Sequence, residues 1–431
     1  MRENRYARFG ISKADILLPK EGIDLEKWAV VACDQYTSEK EYWKKVEEFV
    51  ADEPSTLHLI LPECYLEESD KERRIENINS MMEYYLHSGI FHEWKDSFIL
   101  VKRTMDGKVR YGLMAALDLE CYDYGKDSKS LVRATEGTIL SRIPPRMEIR
   151  RNATLELPHI VVLISDEKRS VIEPLSQLKN KKIYETELMM DGGHLEGYLV
   201  NDEGEDIIYS ALEKLYENLD QKNPLLYAMG DGNHSLATAK ALWEETKRGL
   251  SAKEKEGNPM RYALVEIENI YDDGITFEPI HRVFFNESKE HFAGMLGRKF
   301  KSTWIEKVDS REELQRRINK GGNVRMGLAD GNGMYVLELT GGDKTDSAKI
   351  VQDFIDSEKP EVDYIHGLDA TLKLSKEGKN LGIIMPDVSK DTFFSTIIRD
   401  GSFPRKTFSI GESNEKRYYM EARLIVNALY K

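Results

Sequence analysis

The chain has 431 residues, which at about 150 residues per domain suggests two to three domains. Its 62 Lys and Arg against 76 Asp and Glu leave a net charge of −14, which excludes a broadly basic nucleic-acid-binding surface. With 40% hydrophobic residues and 30 glycines the composition is that of a folded chain, not a disordered one.

Cys33, Cys64 and Cys121 are odd in number and widely spaced, so they indicate neither a disulfide framework nor a thiolate zinc site. The polar start Met1-Arg2-Glu3-Asn4-Arg5-Tyr6 lacks the apolar stretch of a signal peptide. Apolar runs such as Ile160 to Ile164 and Leu381 to Met385 are far shorter than the about 20 residues that span a bilayer. The expectation is a soluble, cytoplasmic protein with no membrane partner.

In chain order, residues 28–33 read as a strand and 37–50 as a helix, with Ser38 and Glu41 spaced as a capping box. A second helix is expected over 71–87, ending before Gly89. Strands at 97–103 and 109–119 join across Asp106-Gly107, a hairpin turn signal. A basic loop over 133–151 precedes a β-rich run at 158–165. Helices at 205–219 and 235–248 then alternate with strands at 224–229 and 262–268. Beyond Asn286, helices near 289–300, 311–318, 347–355 and 390–398 alternate with strands at 324–328 and 334–339. No internal repeat or low-complexity tract appears. The reading is a mixed α/β (α+β) chain with a ligand-binding domain over 1–288 and a C-terminal α/β accessory domain over 289–431.

The most informative segment is Gly230-Asp231-Gly232-Asn233-His234-Ser235, where the apolar strand ending at Met229 feeds an Ala-rich helix. A strand-to-helix turn places backbone N–H groups and the positive helix end together, a geometry that receives anions and phosphate above all. Gly230 and Gly232 permit positive φ and close ligand approach. Asp231 could hold a divalent metal or accept a proton, and His234 adds a titratable donor. The plain alternative is a tight turn capped by Asp231, with Ser235 as helix N-cap. Lys240 lies too deep in the helix for a Walker A loop, and Gly230-x-Gly232-x-x-Ser235 is a weak dinucleotide fingerprint.

Arg133, Arg142, Arg146, Arg150 and Arg151 crowd one segment of an acidic chain, and their planar forks suit phosphate or carboxylate; Glu136 in the same segment could serve as base or metal ligand. A salt-bridged surface is the alternative. His194 follows a second Gly-rich turn, and His281, beside Arg282, interrupts an apolar run. Each could equally be a hydrogen-bonded structural histidine. Arg405 and Lys406, within Gly401 to Phe408 and with Glu412 and Lys416 beyond, form a basic loop that could close over a site or merely connect two elements. No H-E-x-x-H, G-x-S-x-G or H-R-D signature is present.

Gly230 to Ser235 resembles the D-G-H-H-R box of a large bacterial domain-of-unknown-function family, number 1015 of that series, whose members often carry the label SpoOJ/ParA/ParB/RepB. The resemblance runs along nearly the whole chain: Asp34 with its following helix, Thr135-Glu136-Gly137-Thr138 near H-E-x-T, Pro279 to Arg282 at P-x-H-R, and Pro404 to Thr407 at P-x-K-[ST]. It implies a ParB/sulfiredoxin-like core with large insertions, a fold shared with free-serine kinases. It also implies a nucleotide site at Asp231 to Ser235, with Mg²⁺ held by Asp231. Asn233 replaces the box's first His and Ser235 its Arg, so the phosphate clamp must come from Arg142, Arg146 or Arg282.

The leading expectation is a Mg²⁺-dependent phosphotransferase using ATP or ADP on a small hydroxyl metabolite. Asp231, His234 and Glu136 would carry chemistry. Gly230, Gly232, Asn233, Ser235, Arg133, Arg142, Arg146, His194, His281, Arg282, Arg405 and Lys406 would bind the nucleotide. The alternative is a non-catalytic ligand-binding or regulatory protein of the ParB-like class. Nucleic acid is disfavoured as a partner, and a homodimer is compatible with either reading.

Overall fold

A computed structural model describes residues 4–341 and 347–426. The chain divides into two compact units, Met1–Ile275 with Glu412–Lys431, and Thr276–Gly411. This differs from a single cut near 289: the apolar strand at Phe277–Phe284 already belongs to the second unit, and the C-terminal segment returns to the first.

The first unit is built on a large mixed sheet. Its main strands are β1 (Ile99–Met105), β2 (Lys108–Asp118), β3 (Val132–Arg133), β4 (Val161–Ile164), β5 (Lys181–Leu188), β6 (Gly193–Leu199), β7 (Tyr227–Asp231) and β8 (Tyr262–Asn269). They run in the order β5-β6-β1-β2-β8-β4-β7-β3, followed by Tyr122–Asp123, while Ile11–Ser12 pairs with β2. β1 and β2 form the expected hairpin, with Asp106 and Gly107 both at positive φ as a tight reversal requires. The β5–β6 hairpin around Met190 and Asp191 was not expected, because its alternation is interrupted by Lys, Glu and His.

Alternation along β8 divides its side chains between two cores. Ala263, Val265 and Ile267 join Leu113, Leu117 and Val162 on one face, where helices α4 (Asp202–Glu217) and α5 (Asn233–Thr246) contribute Ile208, Leu212, Leu236 and Trp243. Leu264 joins the opposite core, with Trp43 and Val46 of α1 (Lys40–Val50), Ile78 and Met82 of α2 (Lys71–His87), and Tyr418 to Met420. Both faces are covered, so β8 is almost wholly buried.

On the second face Glu266 and Glu268 also point inward. Arg417 donates to Glu266 at 2.5 Å, to Glu421 and to the Pro158 carbonyl at 2.9 Å, and Arg110 Nε lies 2.9 Å from Glu268 Oε1. Arg103 donates to the carbonyls of Asn414 and Lys416. Buried arginines therefore bolt the C-terminal segment to the sheet, because a buried carboxylate or carbonyl needs a donor there.

Three local expectations fail for physical reasons. Residues 28–33 make only a single bridge, Val31 with Tyr418, after a short helix at Leu25–Trp28. Ser38 and Glu41 form no capping box; α1 starts at Lys40 with Glu39 as an N-cap that makes no side-chain bond. The supposed basic loop contains α3 (Ile143–Arg151), where Pro144 and Pro145 sit in the first turn, the one part of a helix that tolerates their missing N–H groups.

The second unit carries its own sheet of β9 (Phe277–Phe284), β10 (Ser302–Val308), β11 (Val324–Asp330), β12 (Gly333–Thr340), β13 (Val362–His366) and β14 (Leu381–Ile384), in the order β10-β12-β11-β14-β9-β13. Helices at Lys289–Gly297 and Ser347–Glu358 pack Phe292 and Phe354 on one core, and Arg311–Ile318 packs Leu314 and Ile318 on another.

Candidate functional site

β7 ends at Asp231 in a bulge. Its register with β4 shifts between Met229 and Asp231, so Gly230 is the extra residue, and such a bulge re-aims the side chain that follows. Gly232 is then the N-cap of α5 at φ +77°. A Cβ there would stand 3.0 Å from Ile160 Cα and 3.4 Å from His159 Cδ2, so both the conformation and the close approach call for glycine. No side chain caps α5, and Ser235 lies inside its first turn instead of at the N-cap.

Asp231 Oδ1 accepts the Gly232 N–H at 2.8 Å, and Oδ2 pairs with Lys416 Nζ at 3.0 Å. Burial pushes this carboxyl up, but Lys416, through its charge and its hydrogen bond, with smaller help from the Gly232 N–H, outweighs burial and holds it below the usual range. His159 is buried beside it. Its Nδ1 lies 2.7 Å from the Tyr419 hydroxyl, and its Nε2 faces Asp34 Oδ2 at 3.8 Å. Tyr419 also accepts the Cys33 N–H at 3.1 Å, and Gln35 Nε2 donates to Asp34 Oδ1 at 3.0 Å.

On the neighbouring side, His234 Nε2 accepts the Ile139 N–H at 3.3 Å. Burial, with the charges of Arg146 and Arg142 adding and Asp34 opposing, pushes its pKa down to about 4, so the ring is neutral at pH 7. Asn233 Nδ2 donates to the Glu136 carbonyl at 3.1 Å, which ties the 136–139 loop to the start of α5. Arg146 of α3 donates to Glu63 through Nε at 2.9 Å and through Nη2, and Nη1 donates to the Arg142 carbonyl at 2.8 Å. Burial pushes the Glu63 carboxyl up, with Arg146 opposing and Asp34 adding.

The structure thus gathers Asp231, His234, Asn233, Arg146 and the backbone of Glu136 around one strand-to-helix corner, with Arg142 near enough to act on His234. It adds His159, Tyr419 and Glu63, which the sequence did not single out, and brings to the same corner Asp34 of the family resemblance and Lys416 of the basic loop. His159 follows Pro158 at the entry to β4, and its only sequence signal is a histidine abutting an apolar strand. Lys416 is legible only as part of the basic loop after Gly401, and Tyr419 gives no signal, because the arginine bolts that bring them back act across the whole chain.

Other expected ligands lie elsewhere. Arg133 is buried and donates to the carbonyls of Ser130 and Pro224 and to Asn223 Oδ1, so it fixes the loop before β7 and is not an anion ligand. His194 sits on β6 between Glu187 at 2.7 Å and Glu185 at 3.3 Å. Ligand-type atoms of Glu185, His194 and Glu196 fall within 4.8 Å of one another, but the Lys102 and Lys182 ammonium groups already serve Glu196 at 2.6 and 2.8 Å. His281, Arg282, Arg405 and Lys406 belong to the second unit. There His281 is buried and accepts the Met385 N–H at 3.1 Å, Arg282 donates to the Ile280 carbonyl, and Arg405 and Lys406 are exposed. Arg151 pairs with Glu245, as a salt-bridged surface would, whereas Arg150 reaches the buried Glu156. A cleft of about 810 Å³ opens beside the start of α1, lined by Thr37, Ser38, Tyr42, Lys45, Met190 and Asp191; none of the corner's side chains lines it.

Fold and corner together define a two-unit mixed α/β protein with a charged strand-to-helix site. The chain belongs to the family described as protein of unknown function (DUF1015), whose profile matches residues 17–369. No curated protein matches it by sequence. Among solved structures it is similar to a conserved hypothetical protein from Pyrococcus furiosus, at 11% identity and a TM-score of 0.35, covering 75% of this chain and 98% of that one. It is also similar to a free serine kinase in complex with AMP (12%, 0.37, 74% and 93%) and to SbnI with C-terminal truncation from Staphylococcus aureus (11%, 0.38, 74% and 89%). No helix among the described residues is long and apolar enough to cross a membrane.

Proposed function

We propose that the corner at Asp231 to Ser235 binds the phosphates of an adenine nucleotide and transfers phosphate to a small hydroxyl metabolite. The carrying observation is the convergence of Asp34, Asp231, His159, His234, Lys416 and Arg146 on a helix start that no side chain caps. Uncapped N–H groups and fixed cations stabilise anionic oxygens without reorganisation. The ParB/sulfiredoxin-like core implied by the D-G-H-H-R resemblance is part of the same proposal.

Charge balance bears on the metal. Asp34, Glu63 and Asp231 are matched in number by Arg142, Arg146 and Lys416, so a polyphosphate must bring its own counter-charge. Asp34 and Asp231 are carboxylates of the kind Mg²⁺ accepts, and Lys416 competes for Asp231. Mg²⁺ bound with the nucleotide would neutralise charge developing on the transferred group. The protein's own part is to hold phosphate at the start of α5, to place Lys416 and Arg146 beside it, and to offer Asp34 or Asp231 to the proton of the acceptor hydroxyl.

The test is calorimetric titration of the full chain with MgADP and MgATP, followed by product analysis with a panel of hydroxyl metabolites. Binding that is lost in Asp231→Ala supports the reading, and absence of binding to any nucleotide refutes it. Tight binding without turnover selects the non-catalytic alternative.

A further inference from the structure

We propose that His159 donates a hydrogen bond to the ligand's phosphoryl oxygen from Nε2, and that Tyr419 is the positioning residue that fixes the imidazole in this form. The inference rests on the phosphate reading of the corner and adds a ligand-contacting residue to it.

The Cys33 N–H can only donate, and it donates to the Tyr419 oxygen at 3.1 Å. The Tyr419 proton is therefore aimed at another acceptor, and His159 Nδ1 at 2.7 Å is the strong one beside it; a cysteine sulfur is a weak acceptor. With Nδ1 accepting, a neutral imidazole carries its proton on Nε2. That N–H faces Asp34 Oδ2 at 3.8 Å, too far for a hydrogen bond, so it is not committed to that carboxylate.

The ring is held by Tyr419, whose hydroxyl lies 2.7 Å from Nδ1 and whose ring it meets edge-on at 5.6 Å between centroids; the backbone before it is fixed separately, since Pro158 gives its carbonyl to Arg417 at 2.9 Å. The Cδ2 edge of the imidazole lies next to Gly232, where α5 begins. A donor between Asp34 and Asp231, at the mouth of the helix start, is placed for an oxygen bound at that start. Both bolts, Arg417 and Tyr419, come from the C-terminal segment.

The experiment uses the full chain labelled with ¹⁵N-histidine. Long-range proton–nitrogen correlation reads the tautomer of His159, identified among the nine histidines by its loss in His159→Gln. The expected result is a protonated Nε2 and a bare Nδ1, with the Nε2 signal moving when MgADP or inorganic pyrophosphate is added. In Tyr419→Phe the two tautomers mix and MgADP affinity falls about tenfold, a typical effect of one lost charge-assisted contact. His159→Gln, which keeps an N–H near Nε2, holds affinity closer to the parent than His159→Ala does. A protonated Nδ1 in the parent, or MgADP binding that leaves both His159 nitrogens unmoved, overturns this inference alone. Failure of both MgADP and pyrophosphate to bind overturns the phosphate reading and the ligand contact with it.

Discussion

Lys416 Nζ lies 3.0 Å from Asp231 Oδ2, so a lysine from the returning C-terminal segment completes a turn whose glycines and carboxylate are encoded far earlier in the chain. The lysine both neutralises a half-buried carboxylate and supplies a cation to whatever binds there. Lys416→Met should therefore lower MgADP affinity at least about tenfold, in line with the ~1.5–3 kcal/mol of a charge-assisted contact. Asp231→Asn should weaken binding in the presence of Mg²⁺ but not binding of metal-free pyrophosphate, since it removes a negative charge. Calorimetry with and without the cation checks both.

Gly232→Ala should reduce stability by about 1–3 kcal/mol, because φ +77° is unfavourable for alanine and its Cβ would crowd the Ile160 backbone. Chemical denaturation gives the magnitude. Nucleotide binding measured on the folded fraction should fall as well, because the helix start is displaced.

His234 predicts an acid-side dependence. Its folded pKa of about 4 lies below the ~6.5 of an unfolded histidine, so the unfolded chain binds more protons between those values and stability falls as pH drops from about 6.5 to about 4. His281, also held near 4 by burial first and then by Arg282 and His366, adds a second such term in the other unit. Melting temperatures of His234→Gln and His281→Gln over this range should each decline less steeply than that of the parent.

Glu268 predicts the opposite slope. Burial pushes its carboxyl up to about 8, with Arg110 opposing and Glu266 and Asp272 adding, so the folded chain holds a proton that the unfolded chain has released. The stability this contributes is complete below about 4.3 and is lost as pH rises through about 8. Glu268→Gln should gain melting temperature relative to the parent on going from pH 6 to pH 9. A constant difference across that range would contradict the assignment.

Arg417→Met leaves Glu266 and Glu421 buried without their cation. Breaking such a pair costs about 3–5 kcal/mol, which denaturant titration resolves. Since Arg417 also holds the Pro158 carbonyl, the His159 nitrogen signals should shift in the same variant.

The sequence alone determined what depends on neighbours along the chain. Helices at Lys71–His87 and Arg311–Ile318 follow from periodicity, the reversal at Asp106-Gly107 from its turn residues, and the turn into α5 from Gly230 to Gly232. These are local choices of φ, ψ and one apolar face. Tertiary structure decided which charged residues matter. Arg133 and Arg146 look alike in the same basic segment, yet one is bolted to loop carbonyls and the other reaches Glu63 beside the corner. Lys416, Tyr419 and His159 meet Asp231 and Asp34 because buried Arg103 and Arg417, with the core packing of Tyr418 to Met420, hold the C-terminal segment against the sheet. A side chain's function there follows from the cost of leaving buried charge unpaired, and that cost is set by contacts between residues hundreds of positions apart.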